Sequence, residues 1–278
     1  MNNISNLKDF KGENLFVELE KIYNQDEKSR EKFVRQLIHT TNKRAFFTID
    51  ENGRIKRKTG NYLLTMSVFE EDDEKFLRYF YELIDFSEQD SLKEKSLSRI
   101  QNIDTADMKK NIIKLIINGK VEYAIKYLYE LYKRDEKEFF KYISEIVLMD
   151  NMDFEKTIYI YSMKKYFEKY GYSLEVFYYV MSYIIKARFD LYEYENIQVA
   201  EGITKESLKE RVKNSLEKYK NKNGLKVAGY LKILEEETYE NEKIYLSILN
   251  SRMNKIENTD NLEKLTDIEE KVFEILMK

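Results

Sequence analysis

The sequence predicts a mainly α protein: a multi-helix array with the dimensions of a HEAT- or armadillo-like α-solenoid, carrying a small β-hairpin near residues 44–58. Three observations carry that expectation. None of the 278 residues is proline, where average usage of about 5% would give roughly fourteen. The eight glycines fall mostly between apolar runs rather than within them. Along most of the chain, apolar residues recur at the i, i+3, i+4, i+7 spacing of an amphipathic helix. Proline is the usual helix stop, since it lacks an amide hydrogen and clashes with the preceding turn. Here glycine, asparagine and charge must end the helices instead.

Leu15, Phe16, Leu19, Ile22 and Tyr23 form one stripe, and Phe33, Val34, Leu37 and Ile38 form the next. The pattern then breaks. Between Arg44 and Lys58, β-favouring residues flank Asn52-Gly53, a dipeptide suited to the left-handed positions of a tight turn. Residues 62–69 follow either as a third strand or as the lead into a helix. Phe76, Leu77, Phe80, Leu83 and Ile84 make one apolar face, with Asp72, Asp73 and Glu74 in its first turn, where they complement the helix dipole. Further helices are predicted at about 90–101, 105–118, 120–133, 136–149, 153–170 and 173–193. Asn118-Gly119 and Gly171 sit where C-terminal caps are wanted. Helices at about 205–220, 225–237, 240–256 and 261–277 complete the chain, with Thr204 and Asp260 as candidate N-caps.

Short connections between these helices predict antiparallel helical hairpins, the raw material of a solenoid. One internal echo agrees: Arg78-Tyr-Phe-Tyr-Glu-Leu-Ile84 is matched by Lys126-Tyr-Leu-Tyr-Glu-Leu-Tyr132. The spacing from residue 78 to residue 126 is 48, close to the 40–47 of HEAT and armadillo units. Composition shifts divide the chain into N-terminal helices plus hairpin (1–70), a helical array (71–195) and C-terminal helices (196–278), expected as one continuous structure with its seam at 196–202.

Forty-eight basic residues nearly balance fifty-one acidic ones, which reads as solvated helix faces laced with i,i+4 pairs rather than as a polyelectrolyte-binding surface. No window approaches the roughly 18 consecutive apolar residues of a membrane span, and residues 1–10 show no signal-peptide core. A cytoplasmic protein is the expectation. With no cysteine, disulfides, thiol catalysis and thiolate metal sites are excluded. A single histidine, His39, rules out two-histidine metal sites within one chain. The glycines form neither dinucleotide nor Walker spacing, so no cofactor and no metal is expected.

Several residues stand out. His39 ends an amphipathic helix, a place that suits either a base or a simple helix-end hydrogen bond. Glu70-Glu-Asp-Asp-Glu74 has the look of an aspartate-rich magnesium motif. Phe76 occupies the position where the next turn needs a carboxylate, so a dipole-complementing helix start is the better reading. Lys43, Arg44, Arg54, Lys56, Arg57 and Lys58 face only Asp50 and Glu51, a surplus that suits phosphate contact or protection of an edge strand. A second surplus spans Lys205, Lys209, Arg211, Lys213, Lys218, Lys220, Lys222 and Lys226. The densest aromatic stretch runs from Phe154 to Tyr194. Tyr159 with Tyr161, and Tyr178 with Tyr179, cannot share one helix face, so each pair must reach either solvent or a second layer. Gly229, beside Ala228, predicts a close helix contact.

These readings favour a non-enzymatic protein- or peptide-interaction module anchored by Tyr159, Tyr161, Tyr178 and Tyr179. A nucleic-acid-associated protein using the two basic patches is the alternative. An all-α enzyme is the third reading, and it would need a deep polar pocket with converging carboxylates and lysine.

Overall fold

A computed structural model describes residues 15–25, 27–40, 47–49, 55–57, 62–83, 103–151, 154–187, 189–260 and 262–278. The protein is mainly helical, with fifteen helices among these residues. Contacts divide it into two compact units. The first comprises Met1–Ser96 and Lys165–Tyr179, the second Leu97–Lys164 and Val180–Lys278.

In the first unit, α1 (Leu15–Tyr23) and α2 (Ser29–Thr40) pack with α3 (Leu63–Phe69) and α4 (Asp73–Leu83). Residues 62–69 thus take the helical of their two expected forms. Phe33 meets Phe80 edge to face, with ring centroids 4.5 Å apart, and Tyr23 and Phe76 close the same aromatic cluster. The C-terminal carbonyls of α3 lack intrahelical partners, and cationic or hydroxyl donors favour that end of a helix dipole. Lys169 Nζ donates to Val68 O at 2.8 Å, and Tyr170 Oη donates to Ser67 O at 2.9 Å. Strands β1 (Phe47–Ile49) and β2 (Ile55–Arg57) pair antiparallel, Thr48 opposite Lys56. The rest of the segment expected as a hairpin, residues 44–46, 50–54 and 58, lies outside the described residues, as do residues 90–101.

In the second unit, α5 (Thr105–Ile117) packs on α6 (Val121–Arg134) and α6 on α7 (Glu136–Met149). The turn between α5 and α6 needs a left-handed residue, which Gly119 supplies at φ 62°, and Lys120 N closes it on Leu115 O at 2.8 Å. Gly171, in the first unit, takes the same left-handed conformation at φ 82°. Asp135 ends α6 and caps α7, its carboxylate accepting from Glu138 N. After α8 (Glu155–Tyr170), α9 (Leu174–Lys186) and α10 (Tyr192–Asn196) come α11 (Lys205–Asn214), α12 (Leu216–Tyr219), α13 (Lys222–Glu236), α14 (Glu242–Glu257) and α15 (Asp267–Met277).

Helix α13 is buried on almost every side and packs on α11, α12, α14 and α15. A solenoid repeat touches only its neighbours, so this hub departs from the expected stacking, which α5 to α7 do follow. The 48-residue echo also loses its equivalence. Glu82 is exposed on α4, whereas Glu130 is buried on α6 and bound by Arg134 at 3.0 Å. Gly229 makes the close contact its sequence suggests: a Cβ there would meet Ile158 and lie 2.9 Å from Thr157 Oγ1.

Three element boundaries differ from expectation. The predicted 173–193 helix ends at Lys186, and the predicted 205–220 helix breaks at Ser215. The last helix starts at Asp267, capped by Thr266 rather than Asp260. The preceding stretch is extended instead, since Lys222 N bonds Glu263 O at 3.0 Å and Asn221 bridges Lys264. Residues 196–202, expected as a seam, lie within the second unit.

Candidate functional site

The second unit has an open groove of about 510 Å³ along the C-terminal half of α14. The helix builds its floor from a polar stripe. Ser247, Asn250, Ser251, Asn254, Lys255 and Asn258 follow one another at the 3.6-residue period, while Tyr245, Leu246, Ile248, Leu249, Met253 and Ile256 are buried, as is Ser247 at the inner end of the stripe. The opposite wall is the extended chain after α10, which contributes Ile197, Gln198 and Ala200.

That wall is fixed at two points. Ala200 N donates to Ser247 Oγ at 3.0 Å, and the hydroxyl in turn donates to Lys243 O at 2.7 Å. Glu193 of α10 accepts from Arg252 and, at 3.2 Å, from Lys255. Arg252 is itself held over the Phe154 ring, 4.9 Å from its centroid, with a hydrogen bond to Asn151 O at 2.8 Å. Between these anchors the backbone N–H groups of Gln198 and Val199 have no partner among the described residues.

Behind the floor, Arg211 of α11 reads one face of α14. Nη1 donates to Asn250 Oδ1 at 2.8 Å, Nη2 to Asn254 Oδ1 at 2.6 Å, and Nε to Glu257 Oε1 at 2.8 Å. These bonds hold the Glu257 carboxyl below its usual range, first through the Arg211 hydrogen bond, and raise the Arg211 guanidinium in turn. Tyr219 Oη adds a bond to the same carboxylate at 2.5 Å, and burial pushes that phenol up.

The predicted site residues are distributed differently. Tyr159 and Tyr161 are only 3% and 4% exposed, which corrects their assignment as surface anchors. The second-layer option holds instead: Tyr159 stacks near Tyr183 with centroids 4.4 Å apart, and Tyr161 lies under Lys232 at 5.7 Å. Tyr178 and Tyr179 are half-buried. The 205–226 cations are largely matched by carboxylates from other segments: Lys205 by Glu242, Lys209 by Glu235, Arg211 by Glu257, Lys222 by Glu263 and Lys226 by Glu155. Arg44, Arg54 and Lys58, the side chains of Lys56 and Arg57, and the side chain of His39 lie outside the described residues.

Glu70–Glu74 serves as a helix start. Asp72 Oδ1 accepts from Lys75 N at 3.1 Å, the bond that chiefly lowers its carboxyl, while Asp73 binds Arg30 and the Tyr23 hydroxyl. Among the described residues no group of three potential ligands gathers around a metal position. Lys156 and Asp150 form an ion pair with both side chains 0% exposed. Closed on every side, it has no access to a substrate.

The groove escaped sequence reading because its residues are small and polar. Its available signal was the Ser/Asn stripe repeating at helical period on the face opposite the apolar one. Comparison with protein-family models, with curated proteins and with solved structures finds no match in any of the three. No helix among the described residues is long and apolar enough to cross a membrane.

Proposed function

We propose that the protein is a cytoplasmic, non-enzymatic interaction module whose α14 groove takes an extended polypeptide segment. The observation that carries this reading is the groove-lining Gln198 N–H, which has no partner among the described residues, on a segment anchored on both sides. A peptide laid beside such an edge gains main-chain hydrogen bonds without reorganising the wall, the economy of β-strand addition. Tyr192 and Val199, 66% and 47% exposed on the same segment, offer apolar surface to its side chains. The in-sequence stacking of α5, α6 and α7 supports a helical array as the frame.

The test is selection of a phage-displayed random octapeptide library on the purified protein, followed by fluorescence anisotropy with the enriched peptides. Gln198→Pro removes that N–H at an exposed position, after an Ile197 already extended at φ −67° and ψ 133°, and is expected to weaken those peptides at least about tenfold, or about 1.4 kcal/mol, with helical circular dichroism unchanged. No enrichment, or equal binding by the variant, overturns the proposal. Tight binding of a single-stranded oligonucleotide that falls steeply with salt, without peptide binding, establishes the nucleic-acid reading in its place.

A further inference from the structure

The floor of the groove has a polarity that Arg211 dictates. A guanidinium carries donors only, so the atoms that Asn250 and Asn254 turn toward Arg211 must be their oxygens, 2.8 and 2.6 Å away. Each amide therefore directs its NH₂ away from Arg211. Both residues line the groove, and among the described residues neither NH₂ donates to a partner. Asn258, by contrast, spends its NH₂ on Asn254 O at 2.9 Å. The groove thus offers two side-chain donors from α14 and the Gln198 amide from the opposite wall. The Lys255 ammonium, 62% exposed and shared with Glu193, stands beside them.

Resting on the peptide reading above, we infer that the occupant is an acidic extended segment carrying Asp or Glu at alternate positions, and that Arg211 is the positioning residue that sets this preference. Two lengths agree. Asn250 and Asn254 are four residues apart on a helix, about 6 Å along its axis at 1.5 Å per residue. Alternate residues of an extended chain are about 6.6–6.8 Å apart and point to the same side. A carboxylate only accepts, and its charge-assisted bonds are shorter and stronger than neutral ones. Side chains that are themselves donors, lysine above all, meet these three donors and an ammonium.

Asn254→Asp tests this without emptying the site. The new carboxylate keeps its bond to Arg211, so the fold is retained, while a donor is replaced by an anionic acceptor. The probes are fluorescein-labelled Ser-Glu-Ser-Glu-Ser-Glu and the matching Ser-Gln and Ser-Lys peptides. Wild-type protein is expected to bind the Glu peptide at least about tenfold more tightly than the Gln peptide and the Lys peptide most weakly. In Asn254→Asp and in Asn250→Asp the Glu preference is lost, with the urea midpoint equal to or above wild type.

Equal affinity for the Glu and Gln peptides, both weakened by Gln198→Pro, overturns the acidic preference and leaves peptide binding intact. Binding of none of the three peptides, together with a library that yields no Gln198-dependent binder, overturns the peptide reading itself. A Glu preference that persists in both Asp variants removes Arg211 and the two amides as its cause.

Discussion

Asp150 and Lys156 form the most demanding pair of side chains in the second unit. Both are fully buried, Asp150 Oδ1 also accepts from Asp190 N at 3.2 Å, and the Phe189 ring lies 5.4 Å from the ammonium. Removing one partner of such a pair strands the other charge away from water, whereas replacing both with apolar groups is often near neutral. Asp150→Asn keeps the shape and the Asp190 contact but not the charge. It is expected to cost about 3–5 kcal/mol, and the double change Asp150→Leu with Lys156→Met is expected to recover most of the loss, both read from urea unfolding. A single-variant loss under about 1 kcal/mol would show that the Lys156 ammonium reaches water. At this scale the sequence was legible where geometry is local: Gly119, Gly171 and Gly229 act as their contexts suggested. It misled where burial depends on distant partners. Lys156 and Glu130 belong to residue types that normally stay in water, and Tyr159 and Tyr161 became interior because a second layer covers each side of α8.

Helices were legible as elements because apolar period and capping are both local, and their ends fell within a few residues of expectation from α5 to α8. Besides the early end of α9 and the break at Ser215, the start of α15 departs from expectation. Leu262 and Leu265 continue the apolar rhythm, and Asp260 precedes them as a good cap would. Yet the backbone of 263–264 is engaged with Asn221 and Lys222, some forty residues earlier, and no periodicity records a long-range pairing. The competing local signal was Thr266-Asp-Ile-Glu269, a reciprocal capping box: Thr266 Oγ1 accepts from Glu269 N, and Glu269 Oε2 accepts from Thr266 N at 2.8 Å. Thr266→Ala is accordingly expected to lower stability by about 1 kcal/mol, and Asp260→Ala to change it by less than about 0.5 kcal/mol. Comparing urea midpoints at equal slope decides between the two starts. A larger loss from Asp260→Ala would restore the earlier one.

Across the whole molecule, 23 tyrosines and 16 phenylalanines without a tryptophan make the phenol ring the main bulky filler, and its hydroxyl ties stability to alkaline pH. Tyr166 in the first unit and Tyr219, Tyr230 and Tyr245 in the second are the largest fully buried side chains. Burial raises the phenol of each, and Tyr132, less enclosed, is pushed up to about 12. A phenol held neutral by folding keeps its proton where the unfolded chain, with a tyrosine pKa near 10, has lost it. The stabilisation is therefore complete below pH of about 10 and is withdrawn as pH rises toward the folded values, by up to about 1.4 kcal/mol per pH unit for each such group. Several groups acting together exhaust an ordinary stability of about 5–15 kcal/mol within one or two pH units. Phenolate absorbance is therefore expected to rise in a steep, cooperative step above pH of about 11, coincident with loss of helical circular dichroism. A gradual phenolate rise to completion with the helical signal intact would mean that these hydroxyls reach solvent without unfolding, and that burial does not govern their ionisation.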